Sequence, residues 1–248
     1  MYDDLAEHYH LRYQDWEASI RRQARILAPI LHNAAEGDVH RVLDCACGVG
    51  TQALGLPALG FSVTGADLSE PAIRRARREA AARELEIPFH QADMRDLSSV
   101  PGEYDAVLAA DNALPHLMTD AGLDQALASI REKLRPGGAV VASVRDYDRL
   151  IVERPTIEPP SFIEGADGVR RFSHQVWEWL GPDRYQLHMY MTIRDGDGWR
   201  TLHFVSLYRA LLRQDLEASL GRSGFADAVW LEPDATGFYQ PIVTARAA

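Results

Sequence analysis

Apolar positions recur at helical spacing through residues 3–33, at Leu5, Ile20, Ile26, Leu27, Ile30 and Leu31, predicting a helical lead-in that ends near Gly37. Val39 to Cys45 is then a short apolar run reaching a glycine turn, the pattern of a buried strand. The two periods alternate from there. Thr51–Leu59 reads as a helix, with Pro57 near its end; Phe61–Ala66 reads as a strand. Ser69 suits an N-cap with Pro71 in the first turn, opening a helix that runs to about Leu85. Ile87–Gln91 and Tyr104–Ala110 are strands, Leu123–Leu134 is a helix stopped by Pro136-Gly137-Gly138, and Ala139–Val144 is a fifth strand. Strands alternating with helices at this spacing predict an α/β fold with a parallel sheet and right-handed crossovers.

The pattern changes after Tyr147. Residues 150–168 are rich in proline, glycine and acid and read as a loop. Three strand-like runs follow, Val169–Leu180, Tyr185–Ile193 and Thr201–Tyr208, with Gly181-Pro182-Asp183 and Asp195-Gly196-Asp197-Gly198 as the turns between them. This predicts a small antiparallel β insertion after the fifth strand. Leu211–Leu220 is a helix, and Ala228–Leu231 with Gln240–Ala245 form a last, antiparallel-looking pair. We therefore expect one domain over 1–248: a helical cap (1–38), a ligand-binding core (39–146), an antiparallel substrate lid (147–207) and a return to the core sheet (208–248).

Charge narrows the partners. The net charge of −10 disfavours nucleic acid, which needs a basic face. The one dense basic run, Arg74, Arg75, Arg77, Arg78 and Arg83, falls on a helix beside Glu79 and Glu84 and reads as a solvated face. No apolar run reaches the roughly 18 residues of a membrane span, and Met1-Tyr2-Asp3-Asp4 does not begin a secretory signal. These features predict a cytoplasmic chain acting on a small molecule, with a homo-oligomer left open. Cys45 and Cys47 are the only cysteines; they read as small buried residues of a tight turn, and no metal site is expected.

Aspartates recur just past the strand ends: Asp44, Asp67, Asp93, Asp111 and Asp146. In open parallel sheets those ends form the ligand crevice. Gly48 and Gly50 lie between a strand and a helix, and Gly48-Val49-Gly50-Thr51-Gln52-Ala53 fits the dinucleotide pattern G-x-G-x-x-A. Asp44, four residues before the first glycine, would repel a pyrophosphate and suits a cationic amino group instead. That balance favours S-adenosylmethionine (SAM) over a dinucleotide. Asp67 suits ribose hydroxyls in either case.

Asp44-Cys45-Ala46-Cys47-Gly48-Val49-Gly50 resembles the first motif of class I SAM-dependent methyltransferases. Asp67-Leu68-Ser69, Asp93-Met94, Asp111-Asn112 and Leu134-Arg135-Pro136-Gly137-Gly138 resemble the later motifs in order and spacing. The resemblance implies a Rossmann-like sheet and SAM contacts at Asp44, Ala46, Cys47, Gly48, Gly50, Asp67, Leu68, Asp93, Met94, Asp111 and Asn112, with Asp67 on the ribose and Asp93-Met94 against the adenine.

A narrower resemblance is to glycine and sarcosine N-methyltransferases, through Asn112-Ala113-Leu114-Pro115-His116-Leu117 and Arg145-Asp146-Tyr147-Asp148. It implies that Tyr13 and Arg21 (or Arg22) reach SAM from the N-terminal helix. It also implies that Arg184 grips an acceptor carboxylate, and that Asn112, Asp146, Tyr147 and Tyr208 face the acceptor. Asp146 stands where that group has asparagine, which favours a cationic acceptor or a proton-accepting carboxylate and puts glycine itself in doubt; capping the following loop is the plainer role. His116 is either a base or a packed loop residue. Trp177, Trp179, Tyr185 and Tyr190 form either one core face or an aromatic lid for a cationic group. His174, His188 and His203, on three strands, could cluster. The implied activity is methyl transfer to a small amine or amino acid. Intramolecular cyclisation of SAM as sole substrate is the alternative, and a non-enzymatic SAM binder or dinucleotide enzyme is the third reading.

Overall fold

A computed structural model describes residues 2–166 and 168–248. Met1, and Asp167 within the stretch expected to be loop, lie outside the described residues. The lead-in is two pieces rather than one: Tyr2–Leu5 (α1) runs into a 3₁₀ turn, Ala6–Arg12, and Trp16–Ala34 (α2) follows a corner. Asp15 makes the break, because its carboxylate accepts the Ala18 N–H at 2.8 Å and starts a new helix.

The central sheet has seven strands: Arg41–Asp44 (β1), Ser62–Asp67 (β2), Phe89–Gln91 (β3), Tyr104–Ala109 (β4), Leu134–Ser143 (β5), Phe225–Leu231 (β10) and Ile242–Ala247 (β11). Their order is β10-β11-β5-β4-β1-β2-β3. The first five are parallel and β10 pairs antiparallel with β11, as the pattern predicts, and β11 also lies antiparallel on β5. Alternation along the strands fills both faces. Leu43, Val107 and Val140 pack against Leu123, Leu127 and Ile130 of Asp120–Glu132 (α4). Val42, Ala106, Leu108 and Val141 pack against Ile20, Ala24, Leu27 and Leu31 of α2 and Ile73 and Ala76 of Glu70–Ala82 (α3). The chain leaves β1 toward β2 and returns to its other side with β4, so the crevice opens where β1 and β4 diverge.

Three local expectations are corrected. Thr51–Leu59 is not a regular helix: one turn closes between Leu54 N and Gly50 O, and a 3₁₀ turn covers Leu56–Leu59. Pro57 lacks the N–H a helix needs, and Gly55 lies so near α2 that a Cβ there would meet the Ile20 carbonyl at 2.7 Å. Pro136-Gly137-Gly138 does not stop the helix, which ends at Glu132; the three residues enter β5 at an irregularity in its pairing with β4. Residues 150–168 are not all loop. Tyr147–Glu153 forms a helix (α5), and Ile157–Glu164 (β6) adds an edge strand to the insertion.

That insertion is a four-stranded antiparallel sheet of β6, Arg170–Trp179 (β7), Arg184–Asp195 (β8) and Gly198–Arg209 (β9). Its inner face carries Trp177, Tyr185, Leu187, Met189, Phe204 and Tyr208 into the same core as the central sheet. Arg213–Arg222 (α6) and Pro233–Thr236 (α7) complete the chain. Among the described residues, no helix is long and apolar enough to cross a membrane.

Candidate active site

A cleft of about 1100 Å³ opens at the carboxyl ends of β1 to β5 and runs beneath the lid sheet. Its floor begins with Cys45-Ala46-Cys47-Gly48-Val49. Gly48 has φ +53° and nothing within 4 Å of where a Cβ would stand, so the turn leaves space on that side. Asp67 fixes this turn, with Oδ2 accepting the Gly48 N–H at 2.8 Å and Oδ1 that of Ser69 at 2.9 Å. Leu68, Asp93, Met94, Asp111 and Asn112 continue the lining. Asp93 is held low by hydrogen bonds from Arg95, which lines the cleft beside it. Burial pushes both cysteine thiols well up, so they stay protonated and poorly nucleophilic.

Asp44 ends β1 and is 1% exposed, behind the lining rather than in it. Among the described residues its Oδ2 has no hydrogen-bond partner. Burial pushes its carboxyl up to about 8, opposed by the Ala46 N–H and reinforced by Asp67 and Asp111. A buried carboxyl held near neutrality beside an open turn is what a ligand's cationic amino group would complete. Gly50 does not line the cleft either; it turns at φ +94° and packs near Leu54 and Ala76.

The N-terminal arm closes one side through Ala6, Tyr9 and Arg12. Tyr9 Oη donates to Asp111 Oδ2 at 2.5 Å. The expected residues from this region, Tyr13 and Arg21, do not line the cleft. The corner at residues 13–15 puts Tyr13 behind the Tyr9 ring, 6.0 Å between centroids, and Arg21 on the exposed side of α2, with Arg22 exposed beside it. The arginine run of α3 is more than a solvated face. Arg78 pairs with Glu7 at 2.6 Å, Arg75 reaches the Glu7 carbonyl at 3.0 Å, and Arg83 pairs with Glu17, so the run clasps the arm.

The other end of the cleft is built around Asn112. Asp111 and Asn112 adopt φ of +64° and +66°, a strained pair at the switch point. Asn112 Nδ2 donates to Tyr147 Oη at 2.9 Å, and its Oδ1 accepts the Arg145 N–H at 3.0 Å. Tyr147 Oη lies 2.9 Å from Tyr185 Oη, which accepts from the Arg145 guanidinium at 2.7 Å. Arg145 is half-buried and lines the cleft, 4.8 Å from the Trp177 ring and 5.3 Å from that of Tyr208. Among the described residues no carboxylate pairs with it. The His116 ring packs against that of Tyr208 at a tilt of 40°, 4.3 Å between centroids. Burial pushes its imidazole down to about 4, against a backbone hydrogen bond at Leu207.

Asp146 lines the cleft but also caps α5, accepting the Arg149 N–H at 3.3 Å. Arg184, expected to grip a carboxylate, does not line the cleft. It neighbours inward-facing Tyr185 on β8, so alternation turns it outward, near the Met118 carbonyl and Asp183. Tyr190 likewise leaves the aromatic set. Trp177 stacks on Tyr185 at 4.6 Å and Trp179 approaches it at 5.2 Å, whereas Tyr190 has the opposite parity. It stacks instead between His174 and His203 on the outer face, where His188 Nδ1 lies 2.9 Å from His203 Nε2. His188 and His203 thus meet, away from the cleft, while His174 is separated from them by the Tyr190 ring.

Arg145, Tyr9 and Arg12 are cleft residues that sequence reasoning missed as such. For Arg145 the signal was present in the Arg145-Asp146-Tyr147-Asp148 stretch, but its role depends on lid rings distant in sequence.

Comparison with known proteins agrees with this fold. Residues 42–138 match the family described as "Methyltransferase domain". The glycine/sarcosine N-methyltransferase of Parasynechococcus marenigrum (strain WH8102) is 33% identical over 167 residues, covering 67% of this chain and 54% of that protein, so the chain spans about half of that relative's length. A dTDP-3-amino-3,4,6-trideoxy-alpha-D-glucopyranose N,N-dimethyltransferase of Streptomyces venezuelae is 28% identical over 90% of this chain and 91% of its own. The crystal structure of Streptomyces venezuelae DesVI shares the fold, with a TM-score of 0.79, 24% identity and coverage of 99% of this chain and 98% of that one.

Proposed function

We propose that the chain is a class I SAM-dependent methyltransferase and that it methylates the amine nitrogen of a small acceptor bearing a carboxylate. One observation carries this reading: Arg145 presents a guanidinium to the cleft with, among the described residues, a single hydrogen bond, to Tyr185, and no acidic partner. A cation so enclosed favours an anionic ligand, since partnering it offsets its desolvation. SAM would lie over the Cys45–Val49 turn, its amino group toward Asp44 and its ribose toward Asp67.

Bound SAM supplies a methyl group already activated by its sulfonium. The chain's own residues then position and exclude water. Arg145 fixes the acceptor's carboxylate, and Asn112, Tyr147 and Tyr185 fix Arg145. No side chain there is arranged as a strong base: His116 stays neutral well below pH 7, and Asp146 is engaged by its cap. The amine therefore reacts in its neutral form, having left its proton to solvent. The cleft extends past this point to Leu150, Glu153, Pro159 and Tyr239, so it offers room that a SAM-only cyclisation would not need.

A second acceptor class, an amino sugar, is favoured by the alignment to the dTDP-amino-sugar enzyme along nearly the whole chain. The test is incubation with SAM and a panel of amines with and without a carboxylate, including the proteinogenic amino acids, sarcosine, ethanolamine and glucosamine. S-adenosylhomocysteine should form with carboxylate-bearing amines, and Arg145→Met should abolish their advantage. Turnover confined to carboxylate-free amines, or methylthioadenosine formed from SAM alone, would overturn the proposal.

A further inference from the structure

Among the described residues, strand β7 carries three buried polar atoms without a hydrogen-bond partner, His174 Nδ1 on the outer face and two on the cleft side. Trp177 is 7% exposed, and its Nε1 is buried without a partner; Gln175 Oε1 is buried in the same condition. Native proteins seldom leave such atoms unpaired, and each instance asks for a reason. The Trp177 ring has one, since it stacks on Tyr185, but that stacking leaves the indole N–H unused. Residues two apart on a strand face the same side, and both of these line the cleft.

Their cross-strand partners extend the pattern. Trp177 pairs with Leu187 and Gln175 with Met189, and both β8 residues line the cleft as well. Arg145 lies 4.8 Å from the Trp177 ring, at the near end of this wall. Read outward from Arg145, the wall offers a cation, an N–H donor, an apolar floor and then a carboxamide. That order is a template for a ligand with an anion at one end, an apolar segment and a second polar group. Glycine has nothing to place on Leu187, Met189 or Gln175.

We propose that β7 selects the methyl acceptor: the Trp177 N–H completes the anion site that Arg145 begins, and Gln175 hydrogen-bonds a polar group on the acceptor's side chain. The acceptor is then an α-amino acid with a polar-tipped side chain. This rests on the proposed N-methylation of a carboxylate-bearing amine.

The experiment compares shape-matched pairs with the full chain and SAM: L-leucine with L-asparagine, L-valine with L-threonine, L-phenylalanine with L-tyrosine, and glycine alone. In at least one pair the polar member should show kcat/KM at least about tenfold above its apolar partner and above glycine, the scale on which an unpaired site group rejects an analogue. Gln175→Met, close in volume, should shrink that ratio to within about threefold, and Gln175→Glu should change which polar member is preferred. Trp177→Phe should raise KM about tenfold for every carboxylate-bearing acceptor while SAM affinity holds. Thermal melts and SAM titrations establish that each variant is folded. Glycine turning over best, or a polar preference that survives Gln175→Met, would overturn the inference and leave the proposed reaction standing. Absence of turnover with every amino acid would instead sink the proposed reaction, and this inference with it.

Discussion

Asp44 should make the free protein lose stability as pH rises through neutrality. Its carboxyl has an ordinary value of 3.8 and is pushed up to about 8 in the fold, chiefly by burial. The folded state therefore holds a proton that the unfolded chain has released, and stability falls with rising pH between those values. His116 acts oppositely. Its imidazole is pushed down from 6.5 to about 4, so stability falls as pH drops through that interval. The two slopes oppose one another below about pH 6.5, and Asp44 acts without that opposition from there to about pH 8. One proton corresponds to about 1.4 kcal/mol per pH unit. For a chain of this size that is a melting temperature falling by roughly 3–5 °C per unit. Asp44→Asn should flatten the slope. SAM should restore the ionised carboxylate by pairing its ammonium group with it, releasing close to one proton per SAM bound at pH 7. Calorimetry in buffers of different ionisation enthalpy measures that proton directly. A flat melting profile, a slope that persists in Asp44→Asn, or binding without proton release would refute the reasoning.

Further outcomes follow from the same geometry. Arg145→Met should lower kcat/KM for carboxylate-bearing acceptors by about 10- to 150-fold, the range for hydrogen bonds to a charged group, in steady-state assays. Its melting temperature should hold or rise, because the variant removes an unpaired enclosed charge. Asp146→Ala should cost about 1 kcal/mol through the lost α5 cap, visible in urea unfolding, with SAM affinity unchanged. Glu7→Gln should loosen the N-terminal arm, raising the KM for SAM less than about fivefold, as expected of exposed ion pairs. Added salt should reproduce that change in the parent protein and have little further effect on the variant.

The alternation of strands and helices was legible because a doubly covered sheet demands continuous apolar strands, and Val42, Ala106–Ala109 and Val140 supply them. The caps at Ser69 and the acids past the strand ends were legible for the same reason: local chemistry sets them. What escaped was set at a distance. Edge strand β6 buries almost nothing and contains Pro159 and Pro160, so its sequence carries no apolar alternation; pairing with β7 alone makes it a strand. Arg184 and Tyr190 were misplaced because assigning a strand's two faces requires its register, and one residue of offset exchanges them. Arg145 gains its meaning from Tyr185 and Trp177, which arrive from the lid.

The most direct measurement follows the methyl group. With SAM labelled at its methyl carbon, the protein and the preferred amino acid, the label should appear in an N–CH₃ resonance of the acceptor together with stoichiometric S-adenosylhomocysteine, and Arg145→Met should suppress both. Label recovered on oxygen or carbon, or retained in methylthioadenosine, would contradict methylation of a carboxylate-anchored amine.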